Sequence, residues 1–226
     1  VNGHTRARGT GFKMHRSDWE YVSYLYVSGY KTGMWIGREP GFHNAPNSNL
    51  YEIHVNNCGN GLYVQDVNPY GLLISNSTFG AGEDGNAVYF FDDFRTSVQF
   101  NGVDFSGPVV SDGSDGVISF ESCTFSEYRD YALKINNGNI LLTQSEFKNP
   151  AGHVFLGKDM HTLKSVNSGY DRKLDITNNS TSAKVVIING DEYLFDPIPE
   201  NIETNLPPAG TSAQPIIAAQ EDAGGC

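Results

Sequence analysis

The 226-residue sequence predicts an all-β fold, a right-handed, single-stranded parallel β-helix of about seven coils. Three observations carry this. First, Asn86–Phe105 holds three short alternating runs, Val88-Tyr89-Phe90, Val98-Gln99-Phe100 and Val103-Asp104-Phe105, broken by turn residues at Asp92–Thr96 and Asn101-Gly102. Second, this corner with its flanking strands recurs at Ile53–Cys58, Leu72–Phe79, Ile118–Phe125 and Ile140–Phe147. It fades at Leu163–Tyr170 and has a less regular forerunner at Leu25–Tyr30. The steps from Phe79 through Phe105, Phe125, Phe147 and Tyr170 are 26, 20, 22 and 23 residues, a solenoid period. Third, each period holds short strands and no helical stretch, which separates a β-helix from a leucine-rich repeat.

In chain order, Val1–Thr10 is polar and aperiodic, and Phe12 and Met14 are the inward residues of the first strand. Trp19–Tyr30 is a long strand stretch through a first corner. Arg38–Asn49, with its Pro and Asn content, is a long loop, and Gly80–Gly85 is an acidic, glycine-rich one. After Tyr170 the period is lost, and Lys184–Ile188 and Glu192–Phe195 read as closing strands. The division expected is a β-helix over 1–195, with coils at about 11–170, and a Pro/Ala/Gly-rich tail over 196–226. The repeat is already running at Gly11, so a matured product or a piece of a longer chain is expected. The tail is expected to be ordered by packing on another surface, such as a sister subunit in a homotrimer.

The rows Ser75-Asn76-Ser77-Thr78-Phe79, Val98–Phe105 and Phe120–Phe125, with small residues at a corner followed by an aromatic, resemble the pectate-lyase-like right-handed β-helix superfamily over about 11–170. That superfamily includes polysaccharide lyases, glycoside hydrolases and phage tailspikes. The resemblance implies an extracellular, cell-surface or virion-surface protein whose outward strand face floors a polysaccharide groove. The paired-aspartate and Asn-Thr-Asp-Gly signatures of the polygalacturonase group are absent, so no catalytic residue is carried over by motif.

Stacked coils put equivalent residues about 4.8 Å apart. Aligning the strand after the corner segment gives inward pairs Phe12/Met14, Met34/Ile36, Leu62/Val64, Val88/Phe90, Pro108/Val110, Leu133/Ile135 and Val154/Leu156. The outward column between them reads Lys13, Trp35, Tyr63, Tyr89, Val109, Lys134, Phe155. Trp35, Tyr63 and Tyr89 are the candidate sugar-stacking platform, although loops folding over them as ordinary packing would explain them equally. Two positions further along lie Arg16, Arg38, Asp66, Asp92, Asp112, Asn137 and Lys158. Adjacent and alternate carboxylates there would be roughly 5 and 10 Å apart, near the separations used by retaining and inverting glycosidases. Asp66, Asp92 and Asp112 are therefore the candidate catalytic residues. Arg38, Lys134, Asp93, Glu83 and Asp84 join the aromatics as candidate substrate-binding residues. The same oxygens could hold Ca²⁺, and the commonness of Asp at turn starts accounts for the column without chemistry. Elimination would instead need a base and a cation, with Lys158 and His153 among the candidates. The alternative to an enzyme is a non-catalytic rod, a tailspike-like receptor binder, adhesin or assembly subunit.

The net charge of −11 argues against nucleic acid or an anionic membrane as partner, and no apolar run is long enough to span a bilayer. Aligning corners puts Cys58 in one column with Ser77, Val103, Cys123, Ser145 and Ser168. Cys58 and Cys123 are then roughly three coils, or 14 Å, apart, too far for a disulfide, which leaves Cys226 as the cysteine free to pair between chains.

Overall fold

The computed structural model describes residues 8–15, 19–38, 45–92, 94–113, 115–190 and the strand at 192–195. The chain winds as a parallel β-solenoid of about seven turns. Three sheets run along it. The first stacks β1 (Thr10–His15), β3 (Thr32–Gly37), β5 (Asn60–Val64), β8 (Val88–Phe90), β11 (Val109–Ser111), the start of β14 (Leu133–Thr143), the start of β16 (Val154–Val166) and β17 (Ile176–Asn178). The second stacks β2 (Glu20–Ser28), β4 (Ser48–Asn56), β6 (Leu72–Ser75), β9 (Ser97–Asn101), β12 (Val117–Glu121), the later parts of β14 and β16, and β18 (Lys184–Asn189). The third takes the later parts of β2 and β4, then β7 (Thr78–Gly80), β10 (Asp104–Ser106), β13 (Thr124–Ser126) and β15 (Glu146–Phe147). β19 (Glu192–Phe195) turns back antiparallel on β18 and occupies its outer edge.

Alternation explains the core. Inward residues from the three sheets meet along the axis, and the phenylalanines stack in files. Phe79, Phe105, Phe125 and Phe147 follow one another at ring separations of 6.5, 5.1 and 4.7 Å, and Phe100 lies on Phe120 at 5.3 Å. The file does not continue into Tyr170, which is 41% exposed; the ring of His153 stacks on Phe147 instead, at 4.6 Å.

The corner between the second and third sheets is one residue in the left-handed region in every coil: Tyr24, Glu52, Asn76, Gly102, Ser122, Gln144 and Asn167, with φ between 47° and 61°. Gly102 alone among them is free of the Cβ penalty. Asn76, Ser122, Gln144 and Asn167 are held by amides that donate to the next coil, as Asn76 does to the Asn101 carbonyl and Ser122 to the Thr143 carbonyl. Just inside sit the small polar residues of a ladder, in which the Cys123 amide donates to Ser145 Oγ and the Ser145 amide to Ser168 Oγ.

Two register expectations need correction. The inward pair of the fifth coil is Val109/Ser111, with Val110 outward between Tyr89 and Lys134. Pro108 cannot donate to a ladder; it stands at the corner, its carbonyl accepting the Ala87 amide, and pairing starts at the Val109 amide. Cys58 is not in the Cys123 column. Ile53 is, its amide donating to Ser77 Oγ, while Cys58 lies at the corner leading into the first sheet. Both corners carry a left-handed Asn, at Asn57 and Asn76, which makes them alike in sequence. The two thiols are nonetheless buried and free. Among the described residues no helix is long and apolar enough to cross a membrane.

Candidate functional site

The outward column of the first sheet reads Lys13, Trp35, Tyr63, Tyr89, Val110, Lys134, Phe155. Trp35, Tyr63 and Tyr89 are brought together as expected, with successive rings 5.6 and 5.7 Å apart. They also have a cover. Phe91, the next outward residue after Tyr89, packs against all three at 5.5, 5.5 and 4.9 Å. The four rings are half-buried in one another, so this stretch is a packed aromatic ridge rather than an open platform.

The three aspartates do not form one column. Asp66 and Asp92 each lie two residues beyond paired positions, Val64 and Phe90, but Phe90 pairs with Ser111, so Gly113 takes the third place. Asp112 falls one position short, because the coil starts at Val109 rather than Pro108. There it accepts from Tyr89 Oη at 2.6 Å and Asn136 Nδ2 at 2.5 Å. That bond, with burial and the nearby charge of Asp112, pushes the Tyr89 hydroxyl up to about 12. Asp66 accepts its neighbour's amide, Val67 N–H, at 2.9 Å and lies 3.9 Å from Arg38. Asp92 is exposed. His153, a candidate base for elimination, is fully buried. Its Nδ1 accepts the Asp175 amide at 2.9 Å, so its Nε2 donates to the Asn149 carbonyl at 2.7 Å, and neither nitrogen is left for proton transfer. Among the described residues no group of three or more His, Cys, Asp or Glu side chains is placed to share a metal ion. Arg16, Asp93, residues 39–44 of the Arg38–Asn49 loop, and the tail with Cys226 lie outside the described residues.

A cavity lies further along the same face, for a reason written in connection lengths. Between the third sheet and the first, the chain uses residues 81–87 after β7, then only Gly107-Pro108 after β10, then 127–132 after β13. One short connection between two long ones leaves a notch. It is a cleft of about 1090 Å³, with Gly107, Pro108 and Val110 as its floor. Glu83 and Asp84 stand on one wall, and Glu127, Arg129, Asp130 and Tyr131 on the other. Lys134, Phe155 and Asp175 complete it. Arg129 reaches across two coils to Asp84 at 2.9 Å and Glu83 at 3.3 Å. Tyr131 is fixed by its hydroxyl, which donates to Thr177 Oγ1 at 3.0 Å, and by its ring, 5.3 Å from Phe155.

Of the residues singled out from sequence, Glu83, Asp84 and Lys134 line this cleft, while Trp35, Tyr63, Tyr89, Arg38, Asp66, Asp92 and Asp112 lie outside it. Glu127, Arg129, Asp130, Tyr131 and Asp175 were missed. The signal that could have found them is the shortness of Ser106-Gly107-Pro108-Val109 beside its long neighbours. The combination of apolar ring faces with paired and unpaired charges on a rigid floor suits a ligand with both apolar faces and many hydroxyls. Comparison with protein-family models, with curated proteins and with solved structures finds no match to this chain.

Proposed function

We propose that this chain binds a polysaccharide on the outward face of its first sheet, with the cleft over Pro108 as the principal subsite, as a protein of the pectate-lyase-like class. The β-helix fits the general carbohydrate-active or tailspike-like class. The observation that carries the reading is the cleft, whose floor is Val110 and Pro108 and whose walls combine Tyr131 and Phe155 with acids and two cations. Sugar rings offer apolar faces to such a floor and hydroxyls to such walls. Hydrolysis is the reaction this lining suits, since acids outnumber bases. A binding-only role, as in a receptor-binding rod, is favoured by a separate observation: Asp66 and Asp112 are already engaged by neighbours that orient them for structure.

The test is a panel of neutral and uronate polysaccharides, followed for binding, for new reducing ends and for the absorbance of unsaturated products. Reducing ends alone identify a hydrolase, both signals a lyase, and binding without either a receptor-type protein. Binding to none of the panel refutes the reading. Should turnover be found, Asp92, which is exposed and outside the cleft, is tested separately: Asp92→Asn cuts turnover by orders of magnitude, with little loss of thermal stability, only if that carboxylate takes part in the reaction, and an active variant removes it from the site.

A further inference from the structure

We infer that the cleft prefers an aminated, cationic glycan to a neutral or uronate one, an inference that rests on the polysaccharide reading above. Five carboxylates line the cleft against two cations, an excess of three negative charges. Arg129 is already shared between Glu83 and Asp84 of the opposite wall, at 3.3 and 2.9 Å, so its charge is answered across the cleft. Lys134 is then the remaining cation in a lining that also holds Glu127, Asp130 and Asp175. Asp175 is held in place by accepting the Gly152 amide at 2.7 Å.

A protonated amine on a sugar ring would replace water at these oxygens with charge-assisted hydrogen bonds. A uronate carboxylate would bring like charge to the same walls, which costs affinity and slows encounter. The net charge of −11 acts in the same direction on the encounter of a polycation with the protein. The apolar floor is indifferent to this choice. It stacks on ring faces of any of the three glycans, so the walls set the preference and the floor does not.

The experiment measures affinity for three oligomers of equal length, made of glucosamine, N-acetylglucosamine and galacturonic acid, at low and high salt. The glucosamine oligomer is expected to bind about tenfold tighter than its acetylated counterpart at low ionic strength. High salt should erase most of that advantage, since the walls are exposed. The double variant Glu127→Gln, Asp130→Asn, checked for unchanged thermal unfolding, should narrow the gap between these two oligomers severalfold. Equal binding of the aminated and acetylated oligomers, or tighter binding of galacturonate, overturns the inference and leaves the polysaccharide reading standing. Binding of none of the three overturns it too, and the wider panel then decides whether the polysaccharide reading falls with it.

Discussion

Phe105→Ala removes the ring at the centre of the phenylalanine files. Phe105 is fully buried, stacked between Phe79 at 6.5 Å and Phe125 at 5.1 Å, with Phe100 and Phe120 edge-on at 5.2 and 5.7 Å. Truncating a buried Phe costs about 3–5 kcal/mol in lost transfer and cavity terms. The loss should fall near the top of that range. All four neighbouring rings are themselves fully buried, and they sit on strands whose spacing the ladder sets, so the site has little freedom to collapse. With a urea dependence of about 2–3 kcal/mol per molar, a loss of about 4–5 kcal/mol moves the unfolding midpoint by about 2 M. Phe91→Ala is the internal comparison. That ring is half-buried on the outside of the solenoid, and its loss should cost about 1–2 kcal/mol, mostly from three aromatic contacts. Circular dichroism and tryptophan fluorescence are followed together, because Trp19 and Trp35 report only the first coils and a solenoid's coils touch only their neighbours. A cost below about 2 kcal/mol for Phe105→Ala, or equal costs for the two variants, would refute the account of the core.

Gly85→Ala should displace the cleft wall without touching its charges, since the added Cβ would run into the Gly59 carbonyl oxygen. The expected loss is about 1–3 kcal/mol of stability, together with glycan affinity. Gly82→Ala, whose Cβ meets nothing nearer than 3.4 Å, should leave both unchanged. Tyr89 should ionise late in an ultraviolet titration, near 12 rather than its ordinary 10.0, and Asp112→Ala should bring it down by removing the largest cause, the hydrogen bond to Asp112. Because the folded value is the raised one, the stabilising Tyr89–Asp112 contact is complete below pH 10 and is lost as pH climbs from 10 towards 12. Thiol titration should find Cys58 and Cys123 unreactive in the native protein, with burial pushing the Cys123 thiol up to about 12, and both reactive once it is unfolded without reductant. A Cys58–Cys123 bridge seen by mass spectrometry would contradict the coil positions of both.

Much of the coil register was legible because it depends on period-2 alternation, and alternation is local. Val88-Tyr89-Phe90 and Leu62-Tyr63-Val64 can be laid side by side without knowing anything else, and they do pair. The register slipped where a residue's role depends on its backbone. Pro108 looks apolar and inward in a string of letters, yet its missing amide hydrogen moves it out of the ladder, and that one-residue difference takes Asp112 out of line with Asp66 and Asp92. The corners hid for a similar reason. Tyr24, Glu52 and Gln144 occupy left-handed positions that no turn rule assigns to them, because stacking on a neighbouring coil imposes the conformation.

The sequence by itself determined the solenoid, the phenylalanine-rich core and the outward column of Trp35, Tyr63 and Tyr89. Each follows from the repeating in-and-out pattern of side chains and the fixed spacing between strands. Only the tertiary structure decided what the outward residues do. Phe91 closes over the three rings, Asp112 is drawn to Tyr89 and Asn136, and His153 is consumed by two backbone partners while its ring stacks on Phe147. The cleft itself is a difference in height between three neighbouring connections, and its charge is the sum of residues as far apart in the chain as Glu83 and Asp175. A periodic pattern specifies what repeats; a site is built where consecutive coils depart from one another, and those departures acquire a shape only when the coils are stacked.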